Sequence, residues 1–191
     1  LSPQSAGALV QRLLELETYR MLALLGLPMA QRLAPSIRRI EGELPALLAS
    51  MERERGLEAN RALLDRLTAL ATELEAGAAA SLFRLGATRA YHELVQARLE
   101  AIRETRMAHY SNFGSFLDRR LSPAIRTCAT IEQSQANLSS KIARIAELLR
   151  TRVDVEIERQ NRDLLSAMND RTRLQLRLQQ TVEGLSVAAI S

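Results

Sequence analysis

Residues 138–168 have the sequence LSSKIARIAELLRTRVDVEIERQNRDLLSAM, and neither glycine nor proline interrupts the chain between Pro123 and Gly184. Most of these residue types are good helix formers. Upstream, Ser122 and Pro123 match an N-cap followed by a first-turn proline. The sequence therefore predicts one helix of about 60 residues, which at about 1.5 Å per residue is roughly 90 Å long.

Apolar residues recur along this helix at steps of three and four, with a mean near 3.6, which favours nearly straight packing over a strict heptad zipper. A single apolar stripe on an otherwise charged helix needs partners. We expect earlier helices to cover the proximal part of the stripe and further copies of the chain to cover the rest. The residues predicted to mediate packing or self-association are Ile142, Ile145, Leu149, Val153, Ile157, Leu164 and Met168.

The composition supports an all-α fold. Of 191 residues, 47% are hydrophobic, 25% are charged and only 3% are aromatic, and Gly and Pro together number 13 (8 and 5). The chain is too apolar to be disordered, and it has too few turn and β-forming residues for an all-β fold. We predict an antiparallel helical bundle with a very long, coiled-coil-like C-terminal helix.

Turn residues divide the first part of the chain into shorter predicted helices. A helix over about residues 4–25 ends at Gly26, and a second follows Pro35, with a kink or break near Gly42 and Pro45. A third begins near Leu57.

Gly86 is predicted to separate the third helix from a fourth over about residues 88–110, and residues 111–116 form the expected loop. The predicted organisation is thus a bundle region over residues 1–121 and a stalk helix over residues 122–191.

The charge gives little support for a nucleic-acid partner, and none is expected. The formal net charge is +4, and Lys141 is the only lysine among 26 basic residues. Interleaved aromatic residues of the kind that stack on single strands are missing. Cys128 stands alone, so no internal disulfide can form, and we expect it to be a buried small hydrophobe.

Motifs for catalysis are incomplete, and the chain is predicted not to be an enzyme. His92 and Glu93 begin a zinc-protease-like pattern, but Gln96 occupies the position of the second histidine ligand. Arg89 and Arg106 stand where a di-iron bundle needs glutamates, three residues before His92 and His109. We therefore expect no catalytic residue, no cofactor and no metal ligand.

The C-terminal residues 184–191 are apolar, which fits either the first turns of a membrane span or an ordinary helix end. Arg171, Arg173 and Arg177 precede them. If a span follows, these arginines form a membrane-proximal basic face on the cytoplasmic side by the positive-inside rule. The alternative is a solvated basic helix face.

Three stretches carry a family resemblance: QRLLELETYRMLALL at residues 11–25, MNDRTRLQL at 168–176 and QTVEGLSVAAIS at 180–191. Together they resemble a bacterial family of predicted membrane-anchored proteins without assigned function, the domain-of-unknown-function family 3422. The resemblance implies a hydrophobic hairpin after Ser191 and an inner-membrane location, and the three arginines then indicate a cytoplasmic position for this chain. It leaves the biochemical role open.

The layout alone is similar to that of the CorA-type magnesium channels, in which long helices run into two membrane spans. The main functional expectation is a non-enzymatic helical domain that forms a homo-oligomer through its long helix. The alternative is a gating or stalk domain of a CorA-like transporter, and a divalent cation is a partner only under that alternative.

Overall fold

The structure, a computed structural model, describes the backbone of residues 3–102, 104 and 112–190, with side chains up to residue 178 except Ser5. The described residues form four α-helices and no strand, so the all-α prediction is confirmed. The helices are α1 (Pro3–Leu24), α2 (Leu27–Arg53), α3 (Leu57–Ile102) and α4 (Phe113–Ile190).

Helices α1 and α2 lie end to end along α3 and run antiparallel to it. Glu15 of α1 pairs with Arg98 of α3 at 3.4 Å. Further along α2, Glu43 accepts a hydrogen bond from Arg66 of α3 at 3.3 Å. Chain positions thus rise along α1 and α2 as they fall along α3, and Gly26 marks the junction between the first two helices.

Helix α4 also runs antiparallel to α3 and therefore parallel to α1 and α2. Arg89 of α3 lies 3.7 Å from Glu132 of α4, and Ser139 donates a hydrogen bond to Glu75 at 2.6 Å. The result is a three-helix bundle in which α1 and α2, end to end, together take the place of one helix.

Two clusters of buried side chains hold the helices together. The larger cluster joins α2, α3 and α4 around residues such as Ile40, Leu67 and Leu138. The smaller one joins α1 to the end of α3 and the start of α4 through Leu16 and Val95, and its other buried members are Ala23, Leu117 and Leu121. Burial of these apolar faces, rather than helix propensity, supplies most of the stability.

Several predicted helix breaks are wrong. Helix α2 begins at Leu27 and continues through Pro35 and Pro45 without a break. Both prolines are exposed, as are the residues four positions earlier, so water can bond the carbonyls that a proline leaves unpaired. Helix α3 likewise continues through Gly86, because Leu85 and Thr88 on either side are buried by packing.

The predicted start of the long helix at Ser122 is also wrong, since α4 begins nine residues earlier at Phe113. Asn112 is the N-cap, and its Oδ1 accepts a hydrogen bond from the Ser115 amide at 3.0 Å. The Glu104 carboxylate accepts two more, from the amides of Phe113 at 2.6 Å and Gly114 at 3.1 Å.

Part of the sequence-based interpretation is not tested by this fold. The predicted loop holds Ser111, which lies outside the described residues, and its remainder from Phe113 is helical. The end of the predicted fourth helix, at residues 103 and 105–110, lies outside them as well. The division into a bundle region over residues 1–121 and a stalk over residues 122–191 stays a prediction.

Candidate association surface

The proximal part of the α4 stripe is covered by the bundle. Ile142 and Leu149 are 2% and 1% exposed and belong to the larger core, and Ile145 packs against that core from its edge. Val153 and Ile157 are half-buried. These five predicted packing residues therefore mark where α4 passes from the core to the edge of the bundle.

The end of α2 is bonded to α4 at the same level. Nη1 of Arg152 donates a hydrogen bond to the carbonyl of Met51 at 2.6 Å, and the amide of Glu54 bonds the carbonyl of Ser50 at 2.8 Å. These bonds satisfy carbonyls that a helix end leaves unpaired. Beyond this point α4 leaves its neighbours, and every residue from 158 to 178 is exposed.

Large apolar side chains lie on the exposed part of α4. Leu164 is 64% exposed and Met168 is 57% exposed, and they are one turn apart on the helix face that continues from Ile157. Other large apolar residues exposed on this segment are Val155, Leu165, Leu174, Leu176 and Leu178. Together, the exposed apolar side chains of residues 155–178 form the distal surface of α4.

The three predicted membrane-proximal arginines are exposed but do not all share a face. Arg173 and Arg177 are four residues apart and therefore lie on one side of α4. Arg171 precedes Arg173 by two residues, so it points to the other side. The apolar residues 184–191 lie outside the described side chains.

The polar side chains in and near the core include His92 and Cys128. Nowhere in the described part of the chain do three His, Cys, Asp or Glu side chains converge as metal ligands would. Nδ1 of His92 is buried with no hydrogen-bond partner among the described residues. Cys128 is buried, as predicted, and desolvation together with the nearby Glu132 carboxylate raises the pKa of its thiol above the ordinary value.

A groove between α2 and α4 was missed by sequence reasoning. Its widest part is a hollow of about 570 Å³ that Leu44 and Ile145 line. The two walls come from segments about 100 residues apart, so no local pattern reveals their proximity. The signal that the sequence did offer for this groove lies on α4, where Lys141, Arg144 and Leu148 are spaced by three and four residues and therefore share one face of the helix.

These features define an all-α helical bundle protein with a long helix that continues past its bundle and carries an exposed apolar surface. The chain belongs to the family described as "Protein of unknown function (DUF3422)", which matches over residues 1–191. Neither the curated proteins nor the solved structures include a match to this sequence.

Among the described residues, no helix combines the length and the apolar character needed to cross a membrane.

Proposed function

We propose that this chain is a non-enzymatic helical domain of a membrane-anchored bacterial protein and that it self-associates through the distal surface of α4. The observation that carries the proposal is the exposure of Leu164 and Met168, together with their apolar neighbours, on a helix that has left its bundle. Contiguous exposed apolar surface on a folded protein commonly marks an interaction site.

Helix energetics support the same proposal. A helical segment without tertiary contacts is only marginally stable in water, since most helical stability in proteins comes from packing of an apolar face. Every residue from 158 to 178 is exposed, so the bundle, as far as the structure describes it, leaves this segment unburied. Pairing two copies along Leu164 and Met168 removes apolar area from water at about 25 cal/mol per Å² and stabilises both helices.

The proposal also places the domain on the cytoplasmic side of the inner membrane, with α4 leading toward the bilayer. Arg171, Arg173 and Arg177 support this placement, because arginines accumulate on the cytoplasmic side of spans and attract anionic headgroups. The family resemblance of residues 180–191 points the same way.

The test is sedimentation velocity combined with light scattering on the purified chain over a concentration series. The variant Leu164→Asp with Met168→Asp introduces two charges into the proposed contact, and we expect it to shift the chain to monomers. Ser166→Asp with Asn169→Asp adds two carboxylates on other sides of the same segment and is expected to associate like the original chain. Equal association of all three proteins would refute the distal surface as the contact.

The same measurement with and without magnesium separates the main proposal from its alternative. A small, magnesium-indifferent oligomer supports a tethered self-associating domain. A ring-sized oligomer whose size responds to magnesium supports instead a cytoplasmic gating or stalk domain of a CorA-like divalent-cation transporter.

A further inference from the structure

The groove between α2 and α4 follows the two parallel helices over several turns. One hollow of about 450 Å³ lies between Ala34 and Ile131, and the next, of 570 Å³, lies between Leu44 and Ile145. From Pro123 to Leu148 the α4 wall spans 25 residues, which is about 38 Å of helix. The two hollows therefore follow one another along the α2/α4 seam.

The groove has an apolar floor that remains open to solvent. Leu44 at its base is buried, whereas Leu48 and Leu148 on its two sides are 42% and 58% exposed. Pro45 and Ile145 complete the apolar lining of the wider hollow. A helix packed between α2 and α4 would cover all of these side chains.

Basic side chains from both helices line the rim of the groove. Arg38 and Arg126 line the first hollow, and Lys141 and Arg144 line the second; all four are exposed. None of them forms an ion pair or a side-chain hydrogen bond with another residue in the part of the chain that the structure describes. Of the described residues that line the two hollows, Glu41 is the one with a carboxylate.

The other seams of the bundle differ in this respect. Ion pairs bridge α1 and α3 through Glu15, α2 and α3 through Glu43, and α3 and α4 through Glu132. Only along the groove do basic side chains from two neighbouring helices face an apolar trough without carboxylate partners from the described residues. In the other seams a carboxylate on one helix pairs with an arginine on the next. Along the groove the basic side chains are present, but none of them pairs with a carboxylate of the described residues.

We propose that the α2/α4 groove binds an acidic amphipathic helix of a partner protein, which adds a fourth helix to the bundle. The partner helix is about 25 residues long to match the α4 wall. Its apolar stripe covers Leu48 and Leu148, and its carboxylates pair with the basic rim. Since Arg126 and Lys141 are 15 residues apart, about 22 Å along α4, the partner carries two acidic clusters at about that separation.

A helix fits this groove better than nucleic acid does. Parallel neighbouring helices leave a trough that accepts a further helix at an axial separation of about 8–10 Å. Nucleic acid binds through rows of phosphate contacts and, for single strands, aromatic stacking. Among the described residues, no aromatic side chain lines either hollow. A phosphate backbone in the groove would also leave the exposed leucines in contact with water.

The test uses fluorescence anisotropy with two labelled helical peptides of about 25 residues, which share a leucine stripe and differ only in having Glu or Lys at the flanking positions. We expect the Glu peptide to bind the purified chain at least about tenfold more tightly than the Lys peptide, with an affinity that falls as salt rises. Duplex DNA of matched length serves as the competitor.

Two variants locate the binding surface. Lys141→Glu with Arg144→Glu reverses the rim charge, and Leu48→Gln with Leu148→Gln makes the floor polar; each is expected to weaken Glu-peptide binding at least about tenfold. Arg12→Glu with Arg32→Glu is the control, because both arginines are exposed and lie outside the groove. Circular dichroism establishes that each variant is folded.

Several outcomes would overturn the proposal: no binding of the Glu peptide, equal binding of both peptides, equal losses in the control, or displacement by DNA at lower concentration than by unlabelled peptide. Loss of self-association in the groove variants would show that a second copy of the chain occupies the groove. Leu164→Asp with Met168→Asp should retain Glu-peptide binding, so failure of the distal-surface proposal is distinguishable from failure of this one.

Discussion

Gly26 lies against Thr88 of α3, at the junction between α1 and α2. Its backbone is right-handed helical, with φ −76° and ψ −26°, so the conformation itself is open to any residue. Space is the constraint, because a Cβ atom added at Gly26 would overlap Oγ1 of Thr88, which is 2% exposed. The glycine therefore sets how closely the junction between α1 and α2 can pack.

Gly26→Ala should destabilise the fold by about 1–3 kcal/mol, because the added methyl group overpacks a tight contact. Thr88→Ala in the same chain should recover part of this loss by removing the atom that is struck. Urea unfolding followed by circular dichroism measures both effects.

Gly42→Ala is the matched control for that prediction. A Cβ at Gly42 meets no atom within 4 Å, and the residue lies inside α2. Alanine should therefore stabilise the chain by about 0.5–1 kcal/mol. A gain of the same size at Gly26 would show that the contact with Thr88 is not restrictive.

At the scale of the helices, a charge network joins α2 to α3. Arg39 pairs with Glu43 at 2.7 Å on its own helix and with Glu73 on α3, and Ser36 donates a hydrogen bond to Glu73 at 2.7 Å. Hydrogen bonding to Arg39 lowers the pKa of both carboxyl groups below their ordinary value. All of these groups are close to solvent, so their effect is modest and sensitive to salt.

The network predicts an acid-dependent contribution to stability. Because Glu43 and Glu73 have lowered pKa values in the folded chain, their contribution is present above the unfolded pKa of about 4.3 and is lost as the pH falls through the folded values. Arg39→Gln should therefore be less stable than the original chain at neutral pH and approach it in acid. Urea midpoints across this pH range measure the difference.

Arg12→Gln is the control for the pH experiment, since Arg12 is exposed on α1 and has no part in the network. Its urea midpoint should follow that of the original chain at every pH. A difference between Arg39→Gln and the original chain that stays constant with pH would rule out the two carboxylates as its source.

Helix content was predictable from sequence, but helix boundaries were not. The apolar spacing in residues 138–168 correctly indicated a long helix, since local periodicity reports directly on helical structure. The predicted helix breaks at Pro35 and Gly86 were wrong. These residues weaken a helix locally, but solvent access or packing against another helix decides whether the helix continues. Ile142 and Leu149 of the same stripe are buried in the core, whereas the α2/α4 groove depends on contacts between distant segments, which no local pattern reveals.

For the whole molecule, the helices combine a packed bundle with an α4 segment that extends past the bundle into solvent. The bundle covers α4 as far as Ile157, and the exposed segment continues with Leu164, Met168 and the arginines. Packing and proposed association therefore use different parts of one helix. Substitutions on the exposed segment can change assembly without removing core contacts.

The proposed membrane placement predicts preferential binding to anionic vesicles. The purified chain should cosediment with phosphatidylglycerol vesicles more than with phosphatidylcholine vesicles, and less so at high salt. Reversing Arg171 and Arg173 to Glu should weaken the binding by at least about 1 kcal/mol per arginine, or roughly fivefold each.

Arg12→Glu with Arg32→Glu again changes the net charge by the same amount at positions far along the chain from the distal segment. This control should bind anionic vesicles much as the original chain does. Equal weakening in both double variants would mean that overall charge, rather than the arginines near the end of α4, governs the binding.

The continuity of α4 has a mechanical consequence. From Phe113 to Ile190 it is one helix, and Arg152 bonds it to the end of α2 just where the bundle ends. A force applied along the axis at the distal end loads the α4 contacts with α2 and α3 in shear, so many of them must fail together. A sideways force would instead peel them apart in sequence, beginning at Arg152, and so at a smaller load.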